Sequence, residues 1–344
     1  MIRPDAPRCA LQGTAAQAGS ISSERAWLNG QFILRQSLCL PVGDAGFVLG
    51  ATVSEQLRTF NGRLFLPELH GKRLADSLAI VGIVPTESIE SLFQAAAELA
   101  THNHALSTQA LDAAGLHAQA GGDLGLVIFL TPGNQPAQHA GRGSAPFVAI
   151  HTFPLAFSIW ARAYTTGLPL RSVGVRQVPE ACWPLQAKVR SRLHYFLADR
   201  EANAAEQGAR AVVCHSDGRI SETSTANIAI VRGNTISTPP PTDALVGVSL
   251  GYTQQLAQSQ GLMWQQRSLR QADLENADEI LLTSTPNCLL PATRYNGQPV
   301  GTGRPGPIFQ RLLGAWSKSV GVDIAAQACR CTDSGLTPPK GATA

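Results

Sequence analysis

Lysine is scarce in this sequence. Only four of the 27 basic side chains are lysines, and the others are arginines. The lysines are Lys72, Lys188, Lys318 and Lys340. Ordinary surface charge is therefore supplied by arginine, whose guanidinium stays protonated, whereas a lysine amine can lose its proton and condense with a carbonyl group. This scarcity makes Lys188, in the stretch PLQAKVRSRLHYFLADREA, a candidate for covalent chemistry.

Long apolar runs are also missing. No stretch contains about 18 consecutive apolar residues, which argues against a membrane-spanning helix, and the N-terminus lacks the apolar core of a secretory signal. The 344 residues are 44% apolar and 15% charged, a globular composition that suits one large or two medium domains. We expect a soluble cytoplasmic protein without a membrane partner.

Concentrated positive charge and a disulfide pattern are absent as well. The net charge is +3 and the arginines are scattered singly, so no basic stripe indicates a nucleic-acid partner. The seven cysteines are odd in number and irregularly spaced, which argues against a disulfide framework. Cys329 and Cys331 have no second cysteine pair or nearby histidine, so we expect no metal site.

The N-terminal half predicts hairpins and helices. β-type runs flank Asn29-Gly30 and again Asn61-Gly62, which are hairpin turn pairs. Helical spacing follows in HGKRLADSLAIVGI and SIESLFQAAAELA, and LGLVIFLTPG and PFVAIHTFPL are typical of strands. We expect the Ala, His and Gln-rich stretch 102–121 to be an exposed insertion.

The C-terminal half predicts a helix from about Arg190 to Gln207 with Leu193 and Phe196 on its apolar face. Strands, a helix near 249–260, the strand EILLTST and a last helix through IFQRLLGAWSKS follow. Hairpins mixed with helices in both halves predict an α+β protein of two domains. The expected divisions are a tail 1–25, a small α/β domain 26–155, a linker 156–170, a larger domain 171–328 and a tail 329–344.

Five blocks of this chain resemble a known family. They are GDAGFVLGATVSEQLRTFNGRLFLPELHGKRLADSL, KVRSRLHYFLADREA, GRISETSTANIAIV, TPPPTDALVGVSLGYT and DEILLTSTPNCLLP. Their order and separation resemble the class IV, fold type IV pyridoxal-phosphate enzymes, which include branched-chain aminotransferases, D-amino-acid aminotransferases and aminodeoxychorismate lyases. The resemblance runs from about residue 27 to 320. It implies a two-domain fold, pyridoxal 5'-phosphate as cofactor and a homodimer.

The resemblance also implies roles for individual residues. Lys188 corresponds to the lysine that forms the Schiff base with the cofactor and then moves a proton, and Glu222 to the carboxylate beside the pyridine nitrogen. Outside the resemblance, Lys188 could be an exposed residue at a helix start and Glu222 a solvent-facing strand residue. Arg192 corresponds to a residue near the phenolic oxygen of the cofactor.

For the cofactor phosphate, the resemblance implies Arg73, the amides of Val248 and Ser249 at a helix N-terminus, and the hydroxyl of Thr285. Without it, Arg73 could be a helix-surface charge, Ser249 an N-cap and Thr285 a strand-end residue.

The substrate side matches less completely. Arg58 and Phe47 are the substrate candidates, while Gly125 and Val127 stand where branched-chain enzymes carry a tyrosine and an arginine. A transaminase acting on a branched-chain-like or D-amino acid and a 2-oxo acid is favoured, because lyases of the family place a threonine near the position of Gln56. An aminodeoxychorismate lyase and a cofactor-binding protein without catalysis are the alternatives.

Overall fold

Two β-sheets organise the computed structural model, which describes residues 23–113 and 122–333. The first sheet is antiparallel and has the strand order β2-β1-β6-β5-β3-β4. Its strands are β1 Arg25–Leu28, β2 Gln31–Leu34, β3 Val53–Phe60, β4 Arg63–Leu64, β5 Leu124–Thr131 and β6 Phe147–Pro154. Its helices are α1 Ala45–Val48, α2 Pro67–Val81 and α3 Ile89–Ala113.

One face of this sheet packs on α2 and α3. Alternate residues such as Leu57, Leu126 and Ile150 point to that face and are fully buried with Leu74 and Leu92 from the two helices. Glu55 of β3 points to the same face and contacts α2, whereas Gln56 points to the opposite face and lines the cavity described below.

The two predicted hairpin turns are present. Asn29 and Gly30 have φ values of 45° and 89°, and Asn61 and Gly62 have values of 50° and 75°. Two successive left-handed residues allow a tight turn whose twist matches that of the flanking strands, and Asn-Gly is the pair best suited to it.

The second sheet is mixed and has the order β11-β10-β9-β12-β13-β7-β8, with β14 paired to β13. Its strands are β7 Leu168–Arg176, β8 Arg210–Cys214, β9 Asn227–Arg232, β10 Thr235–Thr238, β11 Met263–Gln266, β12 Glu279–Ser284, β13 Cys288–Tyr295 and β14 Gln298–Pro299. The remaining helices that the structure describes are α4 Phe157–Trp160, α5 Ala163–Thr166, α6 Leu193–Ala205, α7 Val248–Ser259, α8 Gln271–Glu275, α9 Pro307–Val320 and α10 Ile324–Asp333.

Three sequence predictions about segments need correction. The predicted linker 156–170 contains α4, α5 and the first residues of β7. In the predicted insertion 102–121, residues 102–113 continue α3. Asn103 of this segment is buried and donates to Thr152 Oγ1 at 2.8 Å, which ties the helix to β6. Residues 114–121 lie outside the described part of the chain. In the predicted tail 329–344, residues 329–333 are the end of α10, which the burial of Cys331 fixes against the core.

The apolar face predicted for α6 is also wrong. Leu193 and Phe196 are 70% and 65% exposed, whereas Tyr195, Ala198 and Ala202 are buried. Small alanine side chains allow α6 to lie close to β7 and β8, so the larger apolar residues point outward.

Within residues 23–113 and 122–333, no helix combines the length and apolar character needed to cross a bilayer. The same ranges contain no group of three His, Cys, Asp or Glu side chains placed to hold a metal ion.

Candidate active site

A cavity forms where β3, α2, the segment before α6, the N-terminus of α7 and the end of β12 meet. It brings together seven of the residues singled out from the sequence. They are Arg73, Lys188, Arg192, Glu222, Val248, Ser249 and Thr285. Gln56 also lines this cavity. It is the residue near whose position lyases of the family place a threonine.

The main chain around Lys188 is held by the N-terminal half of the chain. The Lys188 amide donates to Ser77 Oγ of α2 at 3.1 Å, and its carbonyl accepts from the Ser54 amide at 3.0 Å. One residue farther, Val189 forms a bridge with Val53 of β3. The segment is thus an extension of the first sheet, and it directs the lysine side chain into the cavity.

Burial lowers the pKa of Lys188 to about 8. Glu55 opposes this shift, while the guanidinium groups of Arg73, Arg192 and Arg190 add to it by repelling the ammonium charge. With a pKa of about 8, roughly a tenth of the lysine is neutral at pH 7, compared with well under a thousandth for an ordinary lysine. The amine is therefore prepared for nucleophilic chemistry.

Glu222 lies at one end of the cavity among neutral donors. Tyr195 donates its hydroxyl to Glu222 Oε1 at 2.6 Å, and Asn227 donates Nδ2–H to Oε2 at 3.0 Å. Gln177 in turn donates Nε2–H to the Tyr195 oxygen at 2.8 Å, which orients the tyrosine. Burial raises the pKa of Glu222 to about 7, against the opposing effects of the Tyr195 hydrogen bond and of Arg192. A cationic N–H group placed here would favour the carboxylate form.

A close contact fixes the approach of α7 to this end. A Cβ atom at Gly247 would lie 1.9 Å from Asn227 Oδ1, so this N-cap position has no room for a side chain. The amides of Val248 and Ser249 in the first helical turn have no intrahelical acceptors and suit an anion. Thr285, directly after β12, lines the same cavity.

Arg73 is held by a buried carboxylate at the anion-binding end. Its Nε–H donates to Glu55 Oε2 at 3.0 Å and its Nη2–H to Oε1 at 2.5 Å, and His70 Nδ1 lies 2.8 Å from Oε1. Burial alone would raise the pKa of Glu55, but Arg73 and His70 outweigh it and hold this pKa well below its ordinary range. Arg73 Nη1–H also donates to the Val246 carbonyl at 3.0 Å.

Arg192 lies between the two ends. Its guanidinium carbon is 4.7 Å from the centroid of the Tyr195 ring, and its Nη2–H donates to the Ser224 carbonyl. These two contacts hold a cation beside the lysine and the Glu222 carboxyl group.

Residues 52–295 match the family model described as amino-transferase class IV. The chain belongs to this family. A D-alanine aminotransferase of Bacillus licheniformis is 26% identical to this aminotransferase over 294 residues, which cover 85% of this chain and 95% of the relative. The branched-chain-amino-acid aminotransferase-like protein 2 of Arabidopsis thaliana is 26% identical over 297 residues, which cover 85% of this chain and 50% of the relative.

Solved structures show the same fold. The branched-chain amino acid aminotransferase of Escherichia coli superposes with a TM-score of 0.73 at 21% identity, covering 92% of this chain and 97% of the other. The branched-chain amino acid aminotransferase of Thermoproteus uzoniensis, solved with norvaline, has a TM-score of 0.70 at 24% identity, covering 86% of this chain and 95% of the other. The predicted α+β, fold type IV architecture and the predicted transaminase class are confirmed, whereas no relative supports the lyase specifically.

The structure does not bring the two predicted substrate residues of this aminotransferase to the cavity. Arg58 is 1% exposed, and its guanidinium binds the Pro286 carbonyl and Gln327 behind the cavity wall, so we correct its predicted substrate contact. Phe47 is 68% exposed on α1 and does not line the cavity within this chain.

The structure explains why residue 125 is a glycine in this chain, where branched-chain enzymes carry a tyrosine. A Cβ atom at Gly125 would lie 2.2 Å from the Phe153 ring, which comes from the directly paired position of β6. Phe153 therefore occupies the space above Gly125, and an aromatic side chain at residue 125 would displace it.

Three functional residues were not found from the sequence. Tyr195, Asn227 and Gln177 build the surroundings of Glu222, although the sequence had placed only the carboxylate. Tyr195 carried a usable signal, because the chain has only four tyrosines and this one lies seven residues after Lys188. Gln177 carried none, since its partners lie 18 and 44 residues farther along the chain.

Proposed function

We propose that this aminotransferase uses pyridoxal 5'-phosphate to move an amino group between an amino acid and a 2-oxo acid, with Lys188 as the covalent residue. The observation that carries the proposal is one cavity in which a lysine of lowered pKa, a carboxyl group and an anion-binding helix end meet. The relatives named as D-alanine and branched-chain aminotransferases support a D-amino acid or a branched-chain-like amino acid as donor.

The residues of the cavity fit this cofactor at three points. An aldehyde needs an amine, a pyridine nitrogen needs a carboxylate, and a phosphate needs cationic and N–H donors. Lys188, Glu222 and the group formed by Arg73 and the first turn of α7 meet these needs in the same order. When bound, the cofactor supplies a ring that withdraws electrons from the substrate Cα.

Lys188 has two tasks in this proposal. Its neutral amine would hold the cofactor through the aldehyde group, and the same amine, once free, would move a proton at the substrate Cα. The pKa of about 8 suits both tasks, because the group can lose and regain a proton near neutral pH.

Glu222 holds a proton on the ring nitrogen. Its Oε1 already accepts from Tyr195 and its Oε2 from Asn227, so the carboxyl group is fixed in position before any ligand binds. A carboxylate fixed in this position would favour the protonated form of a ring nitrogen placed beside it, because an opposite charge at short distance stabilises the cation.

The phosphate group is bound by Arg73, the amides of Val248 and Ser249, and the Thr285 hydroxyl. Arg73 is held by two hydrogen bonds to Glu55, so its position does not depend on the ligand. Arg192 is a second cation in the lining of the cavity and would be a partner for the phenolic oxygen of the ring.

A homodimer is part of the proposal. Phe47, Leu49, Leu193 and Phe196 are each more than half exposed, and large apolar side chains in this number suit a contact with a second copy. The cytoplasmic location stays a prediction.

A half-reaction experiment tests the proposed function. Adding D-alanine or L-leucine alone should convert the absorbance of the bound cofactor to that of pyridoxamine 5'-phosphate, and 2-oxoglutarate should restore the starting spectrum. Release of pyruvate from aminodeoxychorismate without an oxo-acid acceptor, with no spectral change from any amino acid, would contradict transamination.

The lysine assignment is tested with a matched pair of variants. Lys188→Ala should lower the rate by about 10²- to 10⁴-fold, because it removes the nucleophile and the proton carrier together. Lys72→Ala removes an exposed lysine that pairs with Asp76, and it should keep both the cofactor absorbance and the rate. A Lys188→Ala protein that retains both properties would show that another residue is the covalent one.

A further inference from the structure

A buried polar network lies behind the cavity wall and is not used in the chemistry above. Arg58 Nη1–H donates to the Pro286 carbonyl at 2.9 Å, and Nη2–H donates to Gln327 Oε1 of α10 at 3.0 Å. Gln327 Nε2–H then donates to Asp123 Oδ2 at 2.8 Å. Arg58 is 1% exposed and Gln327 is 4% exposed, so water does not complete these contacts.

The network ends at the turn that joins β12 to β13. Ser284 and Cys288 are the last paired residues of these strands, so the turn consists of residues 285–287. Thr285 and Pro286 line the cavity. Any displacement of this turn therefore moves the Thr285 hydroxyl relative to the phosphate site.

Other contacts hold the same turn from its far side. Tyr164 donates its hydroxyl to the Asn287 carbonyl at 2.7 Å, and Ser284 Oγ–H donates to Asn287 Oδ1 at 2.8 Å. Cys288 has a φ of 61°, a left-handed conformation that costs free energy outside glycine, and its thiol lies 3.4 Å from Arg58 Nη1. The turn is thus strained at one residue and held by side chains around it.

Gln327 is suited to connect a cation to an anion. Arg58 can only donate and the Asp123 carboxylate can only accept, so the carbonyl and the amino group of one glutamine satisfy both. Asp123 Oδ1 also accepts from the Thr59 hydroxyl at 2.8 Å and from the Gly62 amide at 3.0 Å. The guanidinium group of Arg58 thus has one of its hydrogen-bond acceptors on α10, besides those at Thr59 and Pro286.

We propose that Arg58 and Gln327 are positioning residues that set the turn 285–287 in the cofactor cavity, so that α10 controls the affinity for the cofactor phosphate. The inference rests on the proposed cofactor site. No described residue of α10 lines the cavity. The inference therefore gives this helix an indirect role in cofactor binding.

Two substitutions of Gln327 separate positioning from folding stability. Gln327→Leu removes the acceptor for Arg58 and should raise the dissociation constant for pyridoxal 5'-phosphate about tenfold, as loss of one charge-assisted hydrogen bond predicts. Gln327→Glu keeps an acceptor for Arg58 but places a carboxylate against Asp123. It should keep the affinity within about threefold of the wild type while lowering the melting temperature.

Ile324→Val is the matched control on the same helix. Ile324 is 1% exposed and packs in the core without a side-chain link to the network, so its truncation should lower the melting temperature and leave the cofactor affinity unchanged. If Gln327→Leu changes only the melting temperature, as Ile324→Val does, the network is structural and the inference is wrong.

Hydrogen exchange tests the same point without any cofactor. The backbone amides of Thr285, Asn287 and Cys288 should exchange faster in Gln327→Leu than in Gln327→Glu or in Ile324→Val. Equal exchange in all three variants would overturn the inference. A wild-type protein that fails to bind pyridoxal 5'-phosphate would instead contradict the proposed function, and the exchange comparison would still decide the role of Gln327.

Discussion

Two buried carboxyl groups of the same site, Glu55 and Glu222, have pKa values that are shifted in opposite directions. Glu55 contacts the Arg73 guanidinium group and the His70 ring, and its pKa lies well below its ordinary range. Glu222 contacts the neutral donors Tyr195 and Asn227, and burial raises its pKa to about 7. The difference lies in the partners. Glu55 forms an ion pair with Arg73 of the same chain, whereas the donors around Glu222 leave its carboxyl group available to a cationic group of a ligand.

This comparison distinguishes a structural end of the site from a reactive end. Arg73 is fixed by Glu55, so the phosphate end is complete in the protein alone. The Glu222 end has its hydrogen-bond donors in position but has no cation in contact among the described residues. We therefore expect substitutions at Glu55 to reduce stability and substitutions at Glu222 to reduce turnover.

The largest expected effect is on turnover. Glu222→Gln should retain the cofactor but lower kcat about a hundredfold, because a neutral amide cannot hold a proton on the ring nitrogen. Glu55→Gln should instead lower the free energy of unfolding by about 3 kcal/mol, because it leaves Arg73 without its anionic partner. Steady-state kinetics and urea unfolding of both variants make the measurement. A similar kcat for Glu222→Gln and wild type would remove the distinction between the two ends.

A smaller effect is expected for cofactor affinity. Arg73→Ala should raise the dissociation constant for pyridoxal 5'-phosphate about tenfold, with a smaller change in kcat at saturating cofactor, because the arginine acts on the phosphate and not on the reacting carbons. Lys72→Ala, the neighbouring exposed cation, is the control and should bind the cofactor like the wild type. Equilibrium titration by absorbance measures both constants, and equal values for the two variants would contradict the role of Arg73.

A further expected effect is the pH dependence of stability in the cofactor-free protein. The folded-state pKa of Glu222, about 7, is above the value near 4.5 of the unfolded chain, so its contribution is fully present below pH 4.5 and is lost as pH rises through 7. The difference in unfolding free energy between wild type and Glu222→Gln should fall by about 3 kcal/mol between pH 4.5 and 7.5, because each step of one in pKa corresponds to about 1.4 kcal/mol. Urea unfolding at both pH values checks this. A constant difference would mean that Glu222 is ionised throughout.

Sequence reasoning identified residues that stand out by a rare residue type or by a local conformational requirement. Lys188 was identified by the scarcity of lysine, and the hairpins at Asn29-Gly30 and Asn61-Gly62 by a local conformational requirement. The family resemblance then placed Glu222 and Arg73, and the structure brings both to the cavity.

Residues defined by distant partners were beyond sequence reasoning. Arg58 had been expected at the substrate, but its partner Gln327 lies 269 residues farther along the chain, next to the segment 329–344 that was predicted as a tail. Nothing local distinguishes a buried arginine bound to a carbonyl and an amide from one that meets a substrate. The exposed position of Phe196 was missed for a related reason, because helical spacing identifies an apolar stripe but not which side of the helix meets the sheet.

The main-chain hydrogen bonds of Lys188 bear on the order of events in folding. Its amide reaches Ser77, 111 residues earlier, and the next contact, from the Arg190 amide to Thr52 Oγ1, spans 138 residues. Contacts of such long range form after local hairpins and helices, because closing a long loop costs entropy before any bond is gained. Glu222, Asn227 and the start of α7 are neighbours in the chain and can assemble early. The lysine reaches its place only when both halves have folded, so the Glu222 carboxyl group and the first turn of α7 can be arranged before the pocket has a reactive amine.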